Sequence, residues 1–82
     1  MIIRCMVAAV NSNGESDFYF VKVECTNEQY ELGEHYDTVA KKAEDEGYEP
    51  KLVFDENEYA GQAILDHFSW DTAETIDLSN ER

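Results

Sequence analysis

Positive charge is what this sequence has least of: six Lys and Arg stand against nineteen Asp and Glu in 82 residues, a formal net charge of −13 at pH 7. Phosphate contacts need clustered Lys and Arg, so the composition excludes a basic nucleic-acid-binding footprint. The same sign of charge repels an anionic membrane surface. Long apolar runs are also missing, since no stretch approaches the roughly 18 to 20 residues that span a bilayer. The apolar Met1–Val10 is interrupted by Arg4, its one positive charge, and no convincing cleavage site follows, so it reads as a strand rather than a secretory signal. The expected location is cytoplasmic. No repeat, low-complexity tract or linker is visible, and the length allows one domain over 1–82.

What is present suffices for a core: 43% of residues are apolar and ten are aromatic, too many for a disordered acidic tail. Ile2–Val10 and Phe18–Cys25 read as strands, separated by the turn cluster Asn11–Asp17 with Asn13-Gly14 able to supply positive φ. Their pairing is expected to be an antiparallel hairpin with Arg4 opposite Glu24. In that register Cys5 faces Val23 and Cys25 faces Ile3. Ile3, Cys5, Val7 and Ala9 then share a face with Tyr19, Val21, Val23 and Cys25. The cysteines become diagonal neighbours roughly 7–8 Å apart at Cα, beyond comfortable disulfide reach, and read as small core hydrophobes in a reducing compartment.

A helix is predicted over 27–46. Thr26 and Gln29 match the S/T-x-x-E/Q capping box. Leu32, Tyr36, Val39, Ala40 and Ala43 recur at spacings of three and four as one apolar stripe. Gly47 fits a left-handed C′ position with Tyr48 packing back on Ala43, and Pro50 prevents continuation. Gly33 is the weak point, where the first turn could separate from the rest. Lys51–Glu56 reads as a third strand, which a crossover sets parallel to the second strand or a near neighbour. A short helix running from 57 to about 67, with Asp55 or Asn57 as its cap, competes with an irregular segment. Alternation in Phe68–Trp70 and Thr75–Leu78 predicts at least one more strand, and Ser79–Arg82 should fray. The expected fold is α+β: an antiparallel-dominated sheet, made of the hairpin and two or more further strands, packed on one long helix around a ββαβ-type core.

Chemistry is hard to find. The segment from Asp55 superficially resembles a calcium loop, but Tyr59, Ala60 and Asp66 occupy positions that need an oxygen ligand, Gly and a bidentate Glu. His35 and His67 have no Cys partners at zinc spacing. Cys25 precedes a helix N-terminus, which favours a thiolate, yet Glu24 and Glu28 act in the opposite direction. His35 reads as a hydrogen-bonded residue at the edge of the helix stripe. No nucleophile elbow, triad spacing, Walker loop or dinucleotide fingerprint occurs. The expectation is a non-enzyme with no cofactor and no metal.

The placement of charge is the remaining signal. Residues 1–51 carry eleven acids and five bases, and residues 52–81 carry eight acids and no base. With Leu32 at the centre of the buried face, Glu31, Glu34, Asp37, Glu44 and Asp45 project outward or sideways, Tyr30 points opposite Leu32 as an aromatic anchor, and Lys41 and Lys42 pair with Asp37, Asp45 and Glu46. Glu44-Asp45-Glu46 opposes the dipole at the helix C-terminus, where stability alone favours Lys or Arg. These features suggest a non-catalytic protein that contacts a basic protein partner by imitating nucleic-acid charge, through Tyr30, Glu31, Glu34, Asp37, Glu44 and Asp45, without binding nucleic acid or membrane itself. Small DNA-mimic inhibitors encoded by phages and mobile elements share this size and charge, a likeness of composition without a shared motif. The alternative is a structural or regulatory subunit whose acidity serves solubility. A third reading, an enzyme using Cys25 or His35, requires a pocket around them.

Overall fold

The computed structural model describes residues 1–58, 66 and 70–80. Ile2–Val10 (β1) and Ser16–Glu24 (β2) form the antiparallel hairpin read from their β-branched and aromatic runs. The loop between them is stapled by Asn11, whose Oδ1 accepts from the N–H groups of Asn13 (2.9 Å) and Glu15 (3.1 Å). Gly14 sits at φ 80° and donates to the Asn11 carbonyl, as in a turn followed by a left-handed bulge residue. That closure is tighter than the turn cluster suggests, so Ser16 and Asp17 belong to the strand.

The register moves accordingly. Arg4 lies opposite Lys22 rather than Glu24, and Cys5 opposite Val21 rather than Val23. A displacement of two residues keeps side-chain parity, so the predicted core face survives the correction. Cys25 exchanges backbone hydrogen bonds with Met1, 2.8 and 2.9 Å. Both cysteines are buried and free.

Thr26 caps the next helix through both halves of the capping box, accepting from Gln29 N–H at 3.1 Å while Gln29 Oε1 accepts from Thr26 N–H at 2.8 Å. The helix is not one long element. It divides into Asn27–Glu31 (α1) and Glu34–Asp45 (α2), because Gly33 adopts φ 74°, a left-handed value that an α-helix cannot contain. The far end of α2 closes as expected: Tyr48 N–H donates to Ala43 O (2.9 Å) and Gly47 N–H to Glu44 O (3.0 Å), with Gly47 at φ 94°.

Glu49–Asp55 (β3) lies antiparallel to β1 on the side away from β2. It therefore runs in the direction of β2, but β1 separates the two. Pro50 is accommodated where the pairing shifts between Ala8 and Ala9 on an edge strand that can spare a donor. Thr75–Asp77 (β4) pairs parallel to the end of β2, completing the order β3-β1-β2-β4. The architecture is α+β with a mixed sheet, not an antiparallel-dominated one. The parallel pair arises because the crossover places β3 beyond β1, leaving the outer edge of β2 to a strand arriving last.

Asp55–Glu58 forms a turn, and apart from Asp66 the remainder of the helix predicted to about 67 lies outside the described residues, as do Phe68 and Ser69. Trp70 belongs to a 3₁₀ turn, Trp70–Thr72, instead of a strand. Among the described residues no helix is long and apolar enough to cross a membrane. Ile3, Cys5, Val7, Ala9, Val21, Val23 and Cys25 meet Val39, Ala43 and Leu78 in the core between sheet and helices. The opposite sheet face is also apolar, with Met6 between Phe20 and Phe54 and Trp70 edge-on to Phe20 at 5.8 Å.

Candidate functional site

The buried side of α2 is His35, Val39 and Ala43, spaced four residues apart. Leu32, taken from sequence as the centre of the buried face, is 67% exposed beyond the end of α1. This rotates the helix relative to the expectation. On helical geometry, an inward line through Val39 turns Glu34, Asp37, Lys41, Glu44 and Asp45 outward. Asp37, Glu44 and Asp45 are exposed and Glu34 is half-buried. Glu28 and Glu31 are exposed on α1, a separate element.

The structure thus gathers Glu34, Asp37, Glu44 and Asp45 on one helix and sets Glu31 on its neighbour. Lys42 is held by Glu74 and Glu46, both at 3.0 Å, which raises its affinity for its proton. The predicted i,i+4 pairing is present for Lys42 with Glu46, whereas among the described residues neither Asp37 nor Asp45 forms an ion pair with Lys41.

Tyr30 is not the outward-pointing anchor expected. It packs against the core and stacks on the His35 ring at 4.8 Å, while its hydroxyl accepts from Asn57 Nδ2 at 2.7 Å. The break at Gly33 allows this, because α1 no longer continues the phase of α2.

Sequence reasoning missed the polar network beneath Tyr30. His35 is 0% exposed and Asp55 2%, with His35 Nε2 3.0 Å from Asp55 Oδ2. Asp55 Oδ1 accepts from Asn57 N–H at 2.9 Å. The Tyr36 hydroxyl lies 3.2 Å from Asp55 Oδ2 and also contacts Glu58 Oε1. One phenolic proton can serve only one of these carboxylates at a time. Burial first, then the Glu58 contact and the two negative charges, push the Tyr36 phenol well above its ordinary range. The available signal was the i, i+4, i+8 series of His35, Val39 and Ala43. Its partner Asp55 lies twenty residues away and reaches it only through β3 pairing.

The geometry is that of a clamp. Nε2 of His35 is occupied by Asp55, and the ring lies against Tyr30 and Tyr36, with Nδ1 buried and without a hydrogen-bond partner among the described residues. Burial and then Asp55 push the Cys5 thiol far up, and burial also raises that of Cys25, so both stay protonated and poorly nucleophilic. Among the described residues no group of three His, Cys, Asp or Glu side chains converges as a metal site needs. What the arrangement offers chemically is a row of carboxylates along the outer side of a helix anchored from behind. Comparison with protein-family models, curated proteins and solved structures finds no match for this chain.

Proposed function

We propose that this chain is a non-catalytic binding protein that engages a basic macromolecular partner through the outer side of its helical layer, acting as a nucleic-acid mimic. The observation that carries the reading is the outward face of α2, where Glu34, Asp37, Glu44 and Asp45 accompany only Lys41, with Glu28 and Glu31 exposed on α1. At 1.5 Å rise per residue, residues 34 to 45 cover about 16 Å of axis, about the length over which one DNA strand presents five phosphates. A cationic groove meeting this face is steered to it electrostatically and gains by shedding its own anions. The burial of Cys25 and its raised thiol pKa favour this reading over thiol catalysis.

The test is capture of a DNA-binding protein on the immobilised chain at low salt, followed by elution in a salt gradient and competition with duplex DNA. Mimicry predicts an affinity that falls steeply with salt and a partner released by DNA. Capture only of partners that are indifferent to salt and to DNA overturns it and leaves the solubilising role of the acidity.

A further inference from the structure

The outer edge of β4 and the flank of α2 enclose a groove of about 400 Å³, lined by Thr38, Lys41 and Asp45 from the helix and Thr75 and Ile76 from the strand. The Lys42–Glu74 ion pair ties the two walls together at 3.0 Å. The backbone of β4 has a defined polarity. Lys22 N–H donates to Glu74 O at 2.9 Å, and the parallel pairing of Lys22 with Thr75 requires Ile76 N–H to return to the Lys22 carbonyl. Glu74 and Ile76 therefore direct their main-chain groups at β2, and Thr75 and Asp77 direct theirs outward. β4 is the last strand of the sheet, and among the described residues none pairs with that outer edge. An unpaired edge beside a helix is the geometry that accepts an extended peptide as an added strand.

The surrounding charge selects the peptide. The groove itself balances Lys41 and Lys42 against Asp45 and Glu74, and the excess of acid comes from the strand's own stretch, since residues 70–80 add Asp71 and Asp77 and contain no base. Lys42 is already engaged by Glu46 and Glu74. Among the described residues Asp45, Asp71 and Asp77 have no ion-pair partner. We propose that the β4 edge binds an extended basic segment of a protein partner by strand addition, with its main chain bonded to Thr75 and Asp77 and its alternate side chains directed at the groove and at the acids around it. The inference rests on the basic-partner reading above and specifies how such a partner is held. Alternation follows from strand geometry: small apolar residues face Ile76 and Thr38, and Lys or Arg occupies the positions between.

The probe is an acetylated, amidated heptapeptide of alternating Lys and Val, compared with the same peptide N-methylated at every second residue, in both phases. Charge and side chains are unchanged by methylation, whereas edge hydrogen bonds are removed. Binding is followed by amide chemical shifts at low salt. The expected result is shifts centred on Thr75–Asp77 and a loss of about tenfold to a hundredfold in affinity for one methylated phase, as two lost hydrogen bonds imply. Thr75→Pro deletes an outward N–H that the sheet does not use, which an edge strand tolerates, and should weaken the unmethylated peptide similarly while leaving Tm nearly unchanged.

Equal affinity for all three peptides, or shifts confined to the outer face of α2, overturns strand addition and leaves the charge-mimic reading intact. Absence of peptide binding while a DNA-binding protein is still captured does the same. Failure of both peptide and DNA-binding protein to bind at low salt overturns both readings.

Discussion

Asp55→Ala removes the carboxylate on which the buried network converges. Three donors surround it: His35 Nε2 at 3.0 Å, Asn57 N–H at 2.9 Å and the Tyr36 hydroxyl at 3.2 Å. Tyr36 retains Glu58, and Asn57 is exposed enough for water to replace its partner. His35 has no such recourse. It is 0% exposed, and with Asp55 gone neither ring nitrogen has a partner among the described residues. A stranded buried donor costs about 1–3 kcal/mol, and removing one member of a buried ionic pair about 3–5 kcal/mol. About 3 kcal/mol is expected, where the two ranges meet. This is a large share of the roughly 5–15 kcal/mol that holds a domain together. Urea unfolding followed by far-ultraviolet circular dichroism measures it, as a fall in midpoint at constant m. The double variant His35→Leu/Asp55→Ala separates the pair from its surroundings, with an expected coupling of about 1–3 kcal/mol. A loss below about 1 kcal/mol in Asp55→Ala, or zero coupling, refutes the clamp.

Tyr36 holds its proton more tightly folded than unfolded, so its contribution is complete below the ordinary phenol value of 10.0 and is lost as pH rises beyond it; Cys5 acts in the same sense above 9.0. Urea midpoints taken at neutral and strongly alkaline pH should therefore fall, and fall less in Tyr36→Phe; an equal fall in both contradicts the assignment. Both thiols should resist an aromatic disulfide reagent in the native state and react at once in denaturant, whereas rapid native labelling of either contradicts its burial. Leu32→Ala should alter stability by no more than about 0.5 kcal/mol while Val39→Ala costs about 2 kcal/mol, a contrast that thermal melts resolve and that a reversed order would refute.

Local chemistry carried much of the fold. The capping box of Thr26 and Gln29 and the closure by Gly47 and Tyr48 act within a few residues of themselves, and both are legible in the sequence. The hairpin was legible for the same reason, but its register depended on how Asn11 and Gly14 close the loop. The phase of the helix was misread because hydropathy ranks Leu above His as a core residue. His35 is buried through Asp55, a partner that periodicity within one helix does not reveal. Gly33 compounded the error, since its left-handed φ disconnects Leu32 and Tyr30 from the stripe downstream. The mixed sheet was illegible for a related reason: whether β3 joins β2 or crosses beyond β1 is decided by which edges other strands occupy.

The strand order has a kinetic consequence. β1 is central yet precedes both of its neighbours in the chain, and β4 meets β2 only after the two helices and β3 have intervened. The hairpin can form within microseconds, but the pairings of β1 with β3 and of β2 with β4 close long loops and raise the contact order. A hairpin waiting for these partners exposes two unpaired edges, one of them apolar from Cys5 to Val10. Glu15 and Asp17, both exposed beside the hairpin turn, place charge at the end of these edges, where it disfavours the addition of one unfinished sheet to another.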